Sequence, residues 1–392
     1  MSRSGERQAV DDLLGAADTQ PSALVIAGEP GIGKTTLWID GVARAKEFGF
    51  RVLSTRADEA ESVLAYAAVA DLLEDVDPEV LADLPELQRV AIDRVLLRAG
   101  TDGPPTDQRV TGSAVAAVVS ALATQQPILL AIDDAQWLDV SSQAVLAFAA
   151  RRLTGRVGLL LTGRAHATEP DPAEWLHLST PDAVNRVRVG PLSLGALHSM
   201  ILERFGRAFP RPTMVRIAEI SGGNPFYALE LARGVDGRST VGDAVLPSTL
   251  TELVRLRVGH FDGEVGDMLL AACSVADATV DLLADATNVP VERVVELLEG
   301  PEREGIVRID GNSVHFAHPL LARGIYTHAG PARRRRMHRA LAAVEAQPEL
   351  RARHMALGAA SAEPATLHAL DDAAAAAVSR GAAAAAADLY EL

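Results

Sequence analysis

Residues Gly28-Glu29-Pro30-Gly31-Ile32-Gly33-Lys34-Thr35 stand between an apolar run, Ala23 to Ala27, and a helical pattern, Thr36 to Ala45. A strand that breaks into glycine and restarts as a helix has few uses. The glycines let the backbone wrap so closely that its N–H groups converge, and the helix N-terminus adds its dipole, which makes a site for phosphate oxygens. Lys34 is placed to reach the β- and γ-phosphates of a nucleotide, and the Thr35 hydroxyl to hold Mg²⁺. Gly28, Glu29, Pro30, Gly31, Ile32, Gly33, Lys34, Thr35 and Thr36 are therefore the expected nucleotide cradle. Lysine usage adds an independent argument, because the chain has only two lysines, Lys34 and Lys46. A compact ammonium fits a tight phosphate cradle where a planar guanidinium does not.

Around this loop the first half alternates short apolar runs with helical patterns, which predicts an α/β fold with a parallel sheet. The expected strands are Ala23 to Ala27, Arg51 to Ser54, Ile128 to Ile132, Val157 to Leu161 and Arg186 to Val189. A helical insertion of two or three helices, broken by a polar stretch from Gly100 to Asp107, separates the second strand from the third. The third strand ends in Asp133-Asp134, so both carboxylates emerge at the sheet edge where α/β proteins bind ligands. Asp133 is expected to orient Mg²⁺ through water and Asp134 to polarise an attacking water, although a side chain one methylene shorter than glutamate implies slow turnover. Arg164 follows the fourth strand in Leu161-Thr162-Gly163-Arg164, where a guanidinium can sense a γ-phosphate. Lys34, Asp134 and Arg164 are the candidate catalytic residues.

Charge and composition exclude several other classes. Thirty-seven basic against fifty-two acidic residues leave a net charge of −15, which repels nucleic acid and anionic membrane over most of the surface. No stretch reaches the roughly 20 apolar residues of a membrane span, and the charged N-terminus does not read as a signal peptide. The single cysteine, Cys273, forms no intramolecular disulfide and no multi-thiolate zinc site; a cytoplasmic setting is expected. Aromatics at 4% leave the cores to Ala, Leu and Val, so helix should dominate.

After Gly190-Pro191 amphipathic helices take over, at Leu197 to Phe205, Thr213 to Ile220 and Phe226 to Arg233, and read as a helical lid. Pro247 opens another run to Val258, and helical spacing continues from Glu264 to Glu304. Ile306 to Ile309 and Ser313 to Phe316 then flank Asp310-Gly311-Asn312, a strong hairpin signal. Helices followed by a two-stranded wing predict a winged helix. From Pro331 the chain is helical and Ala-rich, with Ala373 to Ala377 and Ala382 to Ala387 suited to close helix packing. His315-x-x-His318 lacks neighbouring Cys or carboxylates and is read as structural, and Arg333 to Arg336 as a solvated helix face.

Together with Asp133-Asp134-Ala135-Gln136-Trp137-Leu138-Asp139, these elements make the chain resemble the STAND class of signal-transduction ATPases. The closest resemblance is to the ATPase part of large, maltose-activator-like, ATP-binding LuxR-family regulators, and it runs from about Arg3 to the end. It implies an AAA-like P-loop core at 1–190, a helical lid at 191–246, a winged helix at 247–330 and the start of TPR-like repeats at 331–392. It also implies that Arg164 is a sensor arginine and that Pro225, in Gly223-Asn224-Pro225, lies near the adenine. Ala317-His318-Pro319-Leu320-Leu321 is similar to a Met-His-Asp-Leu-Leu segment whose histidine touches the β-phosphate of ADP, which makes His318 a nucleotide contact. Arg3 matches an N-terminal Gly-Arg in which Ser2 here replaces the glycine.

The resulting expectation is a switch of a transcriptional regulator. It binds ATP or ADP with Mg²⁺, and nucleotide exchange controls conformation and self-association. An inducer or regulatory protein is the expected further partner, with DNA reached only through a helix-turn-helix outside this chain. The rival readings are a continuously hydrolysing AAA-type ATPase and an origin-recognition-like DNA-binding ATPase.

Overall fold

A computed structural model describes residues 3–98, 105–165, 171–236, 259, 261 and 263–392. Five parallel strands, β1 (Ser22–Gly28), β2 (Arg51–Arg56), β3 (Ile128–Asp133), β4 (Val157–Arg164) and β5 (Val184–Arg188), pair in the order β2-β3-β4-β1-β5. The chain thus forms the α/β P-loop NTPase fold that the alternation of apolar runs predicts. Insertion of β4 between β1 and β3 has a direct consequence at the carboxyl edge. Gly28 lies beside Arg164, while Asp133 follows Ile132, the partner of Leu161.

The three central strands β3, β4 and β1 are buried on both faces and divide their side chains with period two, while the edge strands β2 and β5 are partly exposed. Leu24, Ile26, Leu129, Ala131 and Leu160 meet α1 (Ser4–Ala17) and α2 (Lys34–Glu47), from which Leu13, Leu14, Leu37 and Trp38 complete one core. Val25, Ile128, Leu130, Ile132, Leu159 and Leu161 belong to the core of the opposite face. That face is covered by the insertion after β2, which forms α3 (Ala67–Glu74), α4 (Pro78–Ala82), α5 (Glu86–Val95) and α6 (Gln108–Gln125), and by α7 (Val140–Ala150). Among the described residues the insertion therefore holds four helices rather than two or three. The extra one is the five-residue α4, opened by Asp77, whose side chain accepts the Glu79 N–H, and by Pro78; a helix that short carries no apolar period to read. Of the polar break, residues 99–104 lie outside the described residues, and Asp107 caps α6 through the Arg109 N–H.

The next three helices, α8 (Leu194–Phe205), α9 (Arg211–Ser221) and α10 (Pro225–Asp236), share a core of Leu197, Ile201, Met214, Ile217 and Leu231. The expected run Pro247 to Val258 lies outside the described residues. Beyond it come α11 (Gly263–Ala272), α12 (Val280–Thr287), α13 (Val291–Arg303), the hairpin β6 (Val307–Asp310) and β7 (Ser313–Phe316), and α14 (Pro319–His328). In the hairpin Asp310 faces Ser313, and Gly311 takes φ 60°, a left-handed conformation that glycine adopts freely. Met337 and Leu341 of α15 (Pro331–Val344) fill the core of this unit.

The last helices, α16 (Pro348–Gly358), α17 (Pro364–Ser379) and α18 (Ala383–Glu391), turn back on the NTPase core. Ala373, Ala374, Ala377, Ala385, Ala386 and Leu389 are buried in the same core as the insertion helices. Small side chains allow this close approach: a Cβ on Gly381 would overlap the Thr106 carbonyl oxygen. No described helix is long and apolar enough to cross a membrane.

Candidate functional site

The loop after β1 folds as its glycines require. Gly31 and Gly33 take φ 77° and 101°, and a Cβ on Gly31 would stand 2.9 Å from the Phe226 Cβ. Lys34, only 6% exposed, opens α2 and turns back so that Nζ donates to the carbonyls of Gly28 and Glu29, each at 3.0 Å. Burial lowers the Lys34 pKa, with Arg164 acting in the same direction and Asp134, Asp133 and Glu29 opposing it. Thr35 Oγ1 donates to Asp133 Oδ1 at 3.4 Å. Thr36 follows on α2 and is exposed.

The acids at the end of β3 are held by β4. Thr162 Oγ1 donates to Asp133 Oδ1 at 2.5 Å and accepts the Asp134 N–H at 2.9 Å. Asp133 is 1% exposed; its Oδ2 accepts no hydrogen bond among the described residues and faces the exposed Arg56, whose Nε lies 3.4 Å away. Burial raises the Asp133 pKa, against the Thr162 hydrogen bond. A buried carboxylate with an oxygen left over, beside a threonine hydroxyl, is a hard-oxygen donor set of the kind that suits Mg²⁺. Asp134 takes a left-handed φ of 54°, and Gln136 links its carboxylate to the backbone of Arg164 through bonds of 2.8 and 2.9 Å. The Arg164 guanidinium lies 5.2 Å from the centre of the Trp137 ring.

The three-helix unit α8–α10 meets this site at the phosphate loop. The Asn224 side chain donates to the Pro30 carbonyl at 2.9 Å, and the Phe226 N–H donates to the Gly31 carbonyl at 3.3 Å. Pro225 is buried at the first position of α10 between these two contacts. Gly223 allows the turn, because a Cβ there would stand 2.8 Å from the Leu192 carbonyl oxygen. The Phe226 ring stacks on His318, with centroids 3.8 Å apart and planes at 25°. His318 precedes α14, accepts the Leu320 N–H on Nδ1 at 3.1 Å, and has its pKa lowered to about 4, first by burial. Asp134, Lys34 and Arg164 also act on it electrostatically, the first raising its pKa and the other two lowering it.

The structure thus gathers the phosphate loop, Asp133, Asp134, Arg164 and His318 around one region, with Pro225 at the start of the helix that contacts the loop. His315 is exposed on β7, opposite Arg308. Among the arginines of α15, Arg333 pairs with Asp267 and Arg334 lies over the Tyr326 ring, while Arg335 and Arg336 are exposed. Arg3 is more deeply placed than its weak sequence signal implies: it is 6% exposed and donates to the carbonyls of Ile32 and Gly190 at 2.6 and 3.1 Å. Sequence reasoning missed Thr162, Gln136, Asn224 and Phe226. All four lie inside or next to segments singled out for their neighbours, so adjacency was the available signal.

Residues 1–162 match the AAA ATPase domain family. No curated protein matches the chain. Among solved structures the chain is similar to a Signal Transduction ATPase with Numerous Domains (STAND) protein with a tetratricopeptide repeat sensor from Pyrococcus horikoshii, at 14% identity and a TM-score of 0.54. That alignment covers 97% of this chain and 57% of the other, so the chain spans little more than half the length of that relative. It is also similar to a Walker-type ATPase of Pyrococcus abyssi, at 15% identity and TM-score 0.41 over 83% of this chain and 95% of the other. For the ORC1 protein of Aeropyrum pernix, solved in complex with DNA, the values are 16% and 0.40 over 83% and 92%. Residues 1–162 are therefore similar to AAA-type ATPase domains, which supports nucleotide binding, and the chain as a whole shares the fold of a STAND protein.

Proposed function

We propose that this chain is a nucleotide-operated switch in which ADP is held in a closed form and exchange for ATP opens it. The observation that carries the reading is the stack of His318 on Phe226, whose N–H bonds the Gly31 carbonyl. It joins the helix-and-hairpin unit, read as a winged helix, to the phosphate loop by way of Phe226. Bound Mg²⁺ would neutralise phosphate charge. Lys34 exchanges its two loop carbonyls for β- and γ-phosphate oxygens, and Thr35 and Asp133 supply the metal-binding oxygens. Arg164 favours the triphosphate through the γ-phosphate, His318 favours the closed diphosphate form, and a differential of about 1 to 3 kcal/mol is enough for a useful shift. Asp134 orients the water that resets the switch, at a slow rate because its side chain is short. In this reading the chain belongs to a transcriptional regulator of the LuxR-type class. An inducer or regulatory protein acts on it, opening permits self-association, and DNA is reached through a helix-turn-helix elsewhere.

The test is nucleotide content and release. Purified protein should retain ADP, and His318→Ala should speed ADP release by about tenfold, as expected for losing roughly 1.4 kcal/mol of closed-state contact. Unchanged release from the variant removes the histidine from the mechanism, and protein that binds neither nucleotide in calorimetry removes the switch.

A further inference from the structure

Two side-chain clasps stitch the acids after β3 to the end of β4. Thr162 forms the first and holds Asp133 and the Asp134 backbone, as its position on the central strand requires. The second is made by Gln136, which lies in the 3₁₀ turn at Ala135–Trp137. Its Nε2 donates to Asp134 Oδ1 at 2.8 Å, and its Oε1 accepts the Arg164 N–H at 2.9 Å. The amide is thus used at both ends, once on the candidate base and once on the backbone of the candidate γ-phosphate sensor. A Cβ added at Gly163 would stand 3.6 Å from Gln136 Oε1, so the amide runs close over the strand between its two partners.

We propose that Gln136 is a positioning residue that latches Asp134 in a resting orientation and releases it when Arg164 moves. This rests on the switch reading, and it adds the element by which occupancy of the γ-phosphate site reaches the base. The physical argument has two parts. An amide N–H bonded to a carboxylate oxygen occupies the lone pair with which that oxygen would otherwise hold a water. Asp134 is also fixed at its backbone, by its left-handed φ and its N–H bond to Thr162, so only the side-chain torsions remain to bring the carboxylate to a water, and Gln136 restrains those. Because the other end of the amide sits on the Arg164 N–H, a shift of the β4 terminus toward a bound triphosphate pulls on the same group. The latch therefore opens with ATP and stays shut with ADP. It also separates slow turnover into two causes: the short reach of Asp134, and a hydrogen bond that must break first.

The two halves of the clasp can be cut separately. Gln136→Glu keeps an oxygen for the Arg164 N–H but replaces the donor to Asp134 with a like charge, whereas Gln136→Ala removes both. The full chain and its variants are compared in single-turnover ATP hydrolysis, in calorimetric affinity for ATP and ADP, and in thermal stability. The expected result is a hydrolysis rate about fivefold higher in both variants, as for the loss of one restraining hydrogen bond, with nucleotide affinities within about twofold of the parent. Adding Asp134→Asn to Gln136→Glu should abolish the gain. An unchanged or lower rate in Gln136→Glu with affinities retained overturns the latch, as does a gain that persists without the Asp134 carboxylate. If the parent binds no nucleotide, the switch itself fails, which is a different outcome from a bound but unresponsive variant.

Discussion

The Asn224 side chain donates a hydrogen bond to the Pro30 carbonyl at 2.9 Å, across 194 residues of chain. Its Oδ1 meanwhile accepts the Phe226 N–H at 3.1 Å and so caps α10. One amide therefore tethers α10 to the phosphate loop and starts the helix that carries Phe226. Asn224→Asp keeps the capping oxygen and loses the tethering donor. ADP release from this variant, followed by stopped-flow fluorescence, should be faster by about five- to thirtyfold, the equivalent of about 1 to 2 kcal/mol for a buried acceptor left unpaired. Thermal stability should change less than in Asn224→Ala, which loses the cap as well.

Two glycines of the same loop separate backbone strain from steric exclusion. Gly33 has φ 101°, and a Cβ added there would meet nothing closer than Arg3 Nη2 at 3.9 Å, whereas Gly31 has φ 77° and places a Cβ against both Phe226 and Asn224. Gly33→Ala should therefore lower nucleotide affinity through the loop conformation alone, by about 1 to 2 kcal/mol. Gly31→Ala should add displacement of α10. Hydrogen exchange should show α10 opening faster in Gly31→Ala and unchanged in Gly33→Ala.

These contacts mark how far the sequence could be read. The phosphate loop was legible because its chemistry is local: strand, glycine turn, lysine and helix are contiguous. The sheet was legible because Leu24, Ile26, Leu129 and their neighbours form uninterrupted apolar runs. Asn224, Phe226 and Gln136 were not, since each acts through a partner distant in sequence or through one orientation of an amide, and neither leaves a periodic trace. Packing of the Ala-rich C-terminal helices on the insertion was equally hidden. An alanine face says that something approaches closely but not what does.

Acid sensitivity should arise in part from α15 and α16. His338 and His354, 3% and 2% exposed, meet Nδ1 to Nδ1 at 3.0 Å, and Tyr326 Oη lies 2.9 Å from His338 Nε2. Burial lowers the pKa of both rings, to about 4 for His338 and about 3 for His354, with Arg353 and, for His338, Arg334 adding to the effect. A histidine whose folded pKa is depressed is protonated first in the unfolded chain. Its contribution is thus intact above the ordinary value of 6.5 and is lost as pH falls from there toward 4. Glu61, raised to about 7 mainly by burial, works in the opposite sense as pH rises between 4.5 and 7, so the diagnostic is a difference between proteins. His354→Leu should have a shallower loss of melting temperature between pH 6.5 and 4 than the parent, by on the order of 2 kcal/mol in stability. Parallel curves would show that the pair does not titrate on unfolding.

The C-terminal helices give the last expectation, because Gly381 stands at their seam with the NTPase core. Gly381 has φ 85°, and a Cβ there would overlap the Thr106 carbonyl oxygen and stand 3.5 Å from Tyr66 Oη. Tyr66 is 1% exposed and in a left-handed conformation, and its N–H donates to Asp139 Oδ1 at 2.9 Å. Asp139 in turn caps α7 by accepting the Ser142 N–H, three residues after Gln136. A side chain at 381 must therefore push α17 and α18 away from α6, and the Arg380–Glu349 ion pair next to it goes with them. Gly381→Ala should destabilise the chain by about 1 to 3 kcal/mol through overpacking and backbone strain. Limited proteolysis should cut between α16 and α18 sooner than in the parent. ADP release should also quicken if the seam steadies the turn that carries Asp133 and Asp134, and release at the parent rate despite faster cleavage would confine the effect to the docked helices.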